Sequence, residues 1–198
     1  MPTAAILAGG RATRFGGRDK SALVVGGRSI LERQIAELAR ITDDVLVVGG
    51  CEDQIRPHGP ARFVPDRVPG CGPLGGLDAA LAAARDDLVA IVACDMPFVT
   101  SAFVSHLLDL TRDADAVVPR TERGYHPLCA AYTRACQPAV ARCLADRRLK
   151  MVELLQTVRV RELTVAEIDA FGDHNRLLAN VNTPGEYEEL ETLWGHKA

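Results

Sequence analysis

The run Leu7-Ala8-Gly9-Gly10-Arg11-Ala12-Thr13-Arg14-Phe15-Gly16-Gly17-Arg18-Asp19-Lys20 sets two glycine pairs among three arginines and a lysine. Glycines let backbone N–H groups close on an anion and the cations supply opposing charge, so the pattern suits a phosphate. It is not a Walker loop, which needs Gly directly before Lys where this chain has Asp19, and no GxGxxG follows the first apolar run. The alternative is a surface loop with solvated charges. Further along, Asp95 follows the apolar run Leu88–Ala93, which puts a carboxylate at the C-terminal end of a strand; Asp is also a common turn or cap residue. Asp66 offers either an acceptor carboxylate or a turn. Asn180 and Asn182 alternate, so on a strand both amides face one side, while Asn-Thr-Pro is equally a helix-entry turn. His126 is a lone histidine, as readily structural as ligand-binding.

These residues need a scaffold, and the hydrophobic pattern supplies one. Ala4–Ala8 is a short apolar run closed by Gly9-Gly10, and Ile30, Leu31, Ile35 and Leu38 recur at helical spacing. Ser29 with Glu32 three residues on forms a capping box that fixes this helix start. The connection left between them, roughly twenty residues, is long enough in a compact domain to suggest function. Further strands are predicted at Asp44–Val48, Arg62–Val64, Leu88–Ala93, Ala114–Val118, Leu128–Thr133 and Val158–Leu163. Helices are predicted at Leu77–Arg85, from a Thr100 or Ser101 cap through Leu108, at Ala135–Ala145, at Val152–Thr157 and from about Pro184. Strand and helix alternate, which predicts an α/β fold with a mostly parallel open sheet, helices on both faces and ligands outside the carboxyl ends of the strands.

At 198 residues the chain fits one domain, residues 1–198, and 47% hydrophobic residues suffice for a sizeable core. Twenty-six acidic against 23 basic side chains give a formal charge of −3, without the basic excess that a nucleic-acid partner demands. A polyanionic ligand must therefore be met by a local pocket. Met1–Gly10 lacks the positive n-region of a secretory signal, and no apolar stretch reaches the roughly 18 residues of a membrane span. Six cysteines without a CxxC pair read as reduced thiols of a cytoplasmic protein, Cys136 and Cys143 sharing the buried face of a helix rather than binding metal.

The opening Leu-Ala-Gly-Gly, followed by Arg14, Phe15-Gly16-Gly17 and Asp19-Lys20, resembles the start of molybdenum cofactor guanylyltransferases. Val64-Pro65-Asp66, Gly70 to Gly76, Cys94-Asp95-Met96-Pro97, His126-Pro127 and Asn180-Val181-Asn182-Thr183-Pro184 resemble that family's later motifs in the same order, spanning nearly the whole chain. The resemblance implies a three-layer Rossmann-like nucleotidyltransferase fold, with GTP and the phosphate-bearing molybdopterin as substrates. It also implies a downstream partnership with molybdoenzymes or cofactor chaperones. The Leu-Ala-Gly-Gly opening, in place of the Leu-Ala-Ala-Gly of related cytidylyltransferases, favours GTP over CTP.

Residue roles follow from that resemblance together with their chemistry. Lys20 and Arg14 suit the triphosphate and charge developing on the leaving pyrophosphate. Leu7, Ala8, Gly9 and Gly10 line the nucleotide, and Asp95, a hard oxygen ligand, suits Mg²⁺ bound with phosphate oxygens. Asp66 with Gly72 and Gly76 forms the base-proximal segment, where guanine's ring N–H and amino group call for an acceptor. His126, Asn180 and Asn182 fall to the pterin substrate. No general base is required, because the attacking phosphate monoester is already anionic at pH 7. One departure is Val48-Gly49-Gly50-Cys51, where the family often offers Asn; no base-reading role is carried onto it. The rivals are a CTP-dependent molybdopterin cytidylyltransferase, a sugar-1-phosphate nucleotidyltransferase, which usually shows Pro-Lys where this chain has Asp19-Lys20, and a non-catalytic GTP-binding or cofactor-carrier module.

Overall fold

A computed structural model of the chain describes residues 1–9, 24–25, 27–50 and 61–181. Strands β1 (Thr3–Leu7), β2 (Val24–Val25) and β3 (Arg28–Ser29) precede helix α1 (Ile30–Leu38), followed by β4 (Asp44–Val48) and β5 (Arg62–Val64). Helix α2 (Gly72–Ala83), β6 (Leu88–Ala93) and α3 (Ser101–Asp109) complete the first half. The second half holds β7 (Ala116–Thr121), β8 (Gly124–Tyr125), β9 (Cys129–Thr133), α4 (Gln137–Ala145), α5 (Met151–Leu155), β10 (Val160–Leu163), α6 (Val165–Asp169) and α7 (His174–Leu177).

The main sheet runs β10-β7-β9-β6-β1-β4-β5, with β8 hairpinned onto β7. Strands β5, β4, β1 and β6 are mutually parallel, whereas β9 runs antiparallel to both β6 and β7. The mostly parallel α/β sheet expected from the alternation is therefore present, with β9 as the reversed strand. Period-two alternation divides each strand between two cores: Ala4, Ile6, Val45, Val47, Ala90 and Val92 face α1 and α3, while Ala5, Leu7, Leu46, Val48, Val89 and Ile91 face α2. Both faces of these strands are buried, as a parallel sheet requires.

Local chemistry explains the element ends. Ser29 Oγ accepts from the Glu32 N–H, and Glu32 returns a carboxylate to the Ser29 N–H, so the predicted capping box starts α1. Thr100, rather than Ser101, caps α3 by accepting from the Phe103 N–H. Helix α2 begins at Gly72, five residues before the predicted Leu77. Pro73 in its first turn lacks only an N–H that would have no intrahelical partner, so a glycine- and proline-rich segment still starts a helix. The strand expected from Ala114 starts at Ala116, after a 3-10 turn at Leu110–Asp113. Burial pushes the Cys129 and Cys136 thiols up to about 12, in keeping with inert packing groups. Among the described residues no helix is long and apolar enough to cross a membrane.

The amino ends of β1, β4 and β5 are tied by one buried carboxylate. Asp44 accepts from the Thr3 hydroxyl (2.7 Å), the Arg62 guanidinium (3.0 Å) and the Arg85 N–H (3.2 Å). Burial pushes this carboxyl up, but Arg62, Thr3 and the Arg85 N–H outweigh it and hold it below the ordinary carboxylate range. Asp44→Ala strands Arg62 and is expected to cost roughly 3 kcal/mol, which for a chain of this size lowers the melting temperature by roughly 6–12 °C. Because the folded-state pKa is depressed, the Asp44 contribution is full above the ordinary range near 4 and fades as pH falls. The difference between wild-type and mutant melting temperatures should shrink accordingly in acid.

Candidate active site

The opposite, carboxyl ends of the parallel strands carry the residues of interest. Each strand is extended by hydrogen bonds to its neighbour: the Ala8 N–H donates to Val48 C=O (2.8 Å), Gly49 N–H to Val64 C=O (2.9 Å) and Cys94 N–H to Leu7 C=O (3.1 Å). These bonds bring Gly9, Gly49, Asp66 and Asp95 to the ends of β1, β4, β5 and β6. The sheet order changes direction here, since β1 has β4 on one side and β6 on the other, and such a switch point is where open α/β sheets bind ligands.

Gly9, Gly49 and Asp66 form one wall. Gly49 has φ +78°, and a Cβ there would lie 3.0 Å from Gly9 Cα and 3.2 Å from Asp66 Oδ1. Only glycine fits, so the position that departs from the family pattern serves close backbone approach. The Asp66 carboxylate stands 3.6 Å from where a Gly9 Cβ would be. Burial raises its pKa, and among the described residues no cation pairs with it. Its neighbour Arg67 turns instead to the buried Asp78 of α2 at 3.1 Å, anchoring the loop that presents Asp66.

Of the expected base-proximal glycines, Gly72 is exposed at the start of α2 with φ +58°, and the preceding Cys71 supplies no side-chain cap. Gly76 is buried, and a Cβ on it would meet Leu7 Cδ2 at 3.1 Å. The absence of a side chain at Gly76 thus lets α2 lie close against β1.

Asp95 forms the other edge, half-buried, with Oδ1 shielded from solvent. Its main chain is held from two directions. The Val181 N–H donates to Asp95 C=O (2.9 Å), and Gln34 Nε2 of α1 donates to both Ala93 C=O (2.7 Å) and Met96 C=O (3.0 Å). Gln34 escaped sequence reasoning, though its signal was present: a polar residue within the buried Ile30, Leu31, Ile35, Leu38 stripe.

Asn180 is exposed, one residue before the Val181 N–H that bonds the Asp95 turn, and residues 179–181 form no strand. His126 follows β8, with Nε2 2.9 Å from Thr121 Oγ1. Burial first, then Arg123 and His174, lower its pKa, so the ring is neutral at pH 7. It is linked to the β6 end through Leu128, whose C=O accepts from Ala93 N–H at 2.8 Å. Gly10, Arg14, Lys20 and Asn182 lie outside the described residues.

Two glycine backbones and two carboxylates at the switch point of an open α/β sheet mark a ligand-binding site of an α/β protein. Residues 4–161 match the MobA-like NTP transferase domain. A probable molybdenum cofactor guanylyltransferase of Pelotomaculum thermopropionicum is 34% identical over 96% of this chain and 92% of its own length. The chain belongs to this MobA-like nucleotidyltransferase family. The fold is also that of the molybdopterin-guanine dinucleotide biosynthesis protein A of Archaeoglobus fulgidus, with a TM-score of 0.85, 24% identity and coverage of 98% of this chain and 99% of that one. It is shared by the 2-C-methyl-D-erythritol 4-phosphate cytidylyltransferase of Thermus thermophilus, with a TM-score of 0.72, 21% identity and coverage of 98% and 100%.

Proposed function

We propose that the whole chain acts as one cytoplasmic domain that transfers GMP from GTP to the terminal phosphate of molybdopterin. A phosphate oxygen of the acceptor attacks the α-phosphorus, the bond from that phosphorus to the β-phosphate oxygen breaks, and pyrophosphate leaves. The observation that carries this reading is the pair of carboxylates, Asp66 and Asp95, which follow β5 and β6 on either side of the glycine-bearing ends of β1 and β4.

Asp66 is an acceptor aimed past two glycines and unclaimed by any described cation, which suits the two donors on guanine's edge. The Gly9 backbone and the exposed start of α2 at Gly72 let the nucleotide approach without side-chain obstruction. Arg14 and Lys20 take the triphosphate and the charge that passes to pyrophosphate. Asp95 fits a magnesium ion by its hard oxygen and its place at the strand end. A divalent cation bound there with the triphosphate supplies charge neutralisation at the phosphates. Gln34 and Val181 fix the Asp95 turn, so that carboxylate is held in place before substrate arrives. His126 is neutral and already engaged by Thr121, which suits an acceptor contact better than proton transfer. Asn180 and Asn182 serve the acceptor side. The product passes to molybdoenzymes or cofactor chaperones.

The test is pyrophosphate release and dinucleotide formation with molybdopterin, magnesium and either GTP or CTP. Turnover with GTP and not CTP is expected. Preference for CTP would move the base assignment while leaving fold and mechanism, and tight GTP binding without pyrophosphate release would make the protein a carrier.

A further inference from the structure

A concavity of about 500 Å³ lies between α1, the 97–100 segment and α7. None of Gly9, Gly49, Asp66 or Asp95 lines it. Three guanidinium groups do: Arg28 from the β2–β3 hairpin, Arg33 from α1 and Arg176 from α7. Two carboxylates share the lining, but both are engaged locally. Glu37 accepts from the Ser101 N–H (2.9 Å) and from Arg40 (3.3 Å), and Asp173 accepts from the Asn175 N–H at the start of α7. Three guanidinium groups against two carboxylates, one of them shared with Arg40 from outside the lining, leave the groove net cationic. Burial and then the nearby charge of Arg28 lower the Arg33 pKa, the sign of like charges brought together at a partly desolvated surface. Pro97, Phe98, Val99, Phe171 and Leu177 make much of the remaining lining apolar, and the Arg176 guanidinium lies 4.7 Å over the Phe98 ring.

We propose that this groove binds a planar heterocycle carrying an anionic group, with the anion at Arg28 and Arg33 and the ring beside Phe98 and Arg176. Guanidinium groups pair with phosphate or carboxylate through two parallel donors and also stack on π-systems, so both parts of such a ligand are matched. The position gives the groove a link to the transfer site. Its 97–100 wall begins two residues after Asp95, and its α7 wall ends three residues before Asn180. The same chemistry comes from two sources, the acceptor of the transfer reaction or a separate anionic effector. Assignment to the acceptor rests on the proposed function, whereas binding itself does not.

The probe is 6-carboxypterin, followed by its own fluorescence, with the uncharged 6-hydroxymethylpterin as the comparison. Wild-type protein is expected to bind the carboxylate form at least tenfold more tightly than the uncharged one. Arg176→Ala and Arg28→Ala are each expected to weaken that binding tenfold or more while GTP affinity stays within twofold. Arg28 is exposed on a hairpin, so its variant keeps the fold. Absence of binding by the wild type, wild-type affinity in both variants, or displacement of the probe by GTP would overturn the proposal. Competition that raises the acceptor KM at constant kcat identifies the groove with the acceptor, and inhibition without competition identifies an effector site. If no guanylyl transfer occurs while 6-carboxypterin still binds through the arginines, the proposed function fails and the groove stands.

Discussion

Replacing Asp95 by alanine is expected to lower kcat/KM for GTP by about a thousandfold, roughly 4 kcal/mol of lost transition-state stabilisation. The carboxylate sits at the end of β6, where its main chain is gripped by Val181 and Gln34 whatever side chain is attached. The fold should therefore survive, and the melting temperature without nucleotide should change by no more than a few degrees. Loss should fall mainly on turnover, because an interaction that strengthens as charge moves onto pyrophosphate contributes more to the transition state than to bound GTP. Steady-state kinetics with titrated magnesium would check this: the mutant should lose its saturable metal dependence along with kcat. Full activity in Asp95→Ala would remove this residue from the chemistry and favour the carrier reading.

How much of this was legible in the chain depended on how local each cause is. The start of α1 is written in Ser29 and Glu32, two residues three positions apart that satisfy each other, and the β1, β4 and β6 runs are apolar because both their faces are covered. The Asp95 position followed directly from the apolar run before it. The Gly9–Gly49–Asp66 wall was only half legible, because the need for glycine at position 49 comes from Gly9 forty residues away and shows no local pattern. Gln34 looked like an interruption of a hydrophobic stripe, and only the β6 turn it straps explains it. The start of α2 was missed because helix propensity reads Gly-Pro-Leu-Gly-Gly as a loop, whereas Leu7 against Gly76 shows close packing at work. The alternation of Asn180 with Asn182 fits a strand and a helix-entry turn equally, because alternation carries no information about a neighbouring strand to pair with. The arginine groove joins a hairpin, two helices and a turn, and no sequence period announces such a convergence.

Asp66→Asn is expected to move stability and function in opposite directions. Burial raises the Asp66 pKa with no described cation to offset it, so the folded protein holds this proton more tightly than the unfolded chain does. Stability is then greatest in acid and falls as pH rises through the ordinary range near 4 and on to the raised folded value. Removing the charge should raise the melting temperature of the nucleotide-free protein at neutral pH and leave the gain absent below pH 4. Function should suffer instead. Two guanine donors meet an ionised carboxylate in the wild type, and an amide in its place offers one acceptor and opposes the other donor with its own N–H group. The loss is about 3 kcal/mol, or roughly a hundredfold in GTP affinity. GTP binding should also pull the carboxyl pKa back down and release a proton. Wild-type affinity therefore weakens as pH falls into the window just above the ordinary carboxylate range, and Asp66→Asn affinity does not. Calorimetric titration in buffers of different ionisation enthalpy reads that proton directly. A mutant that is less stable, keeps its preference for GTP over CTP and shows the wild-type pH dependence would place the guanine edge elsewhere in the site.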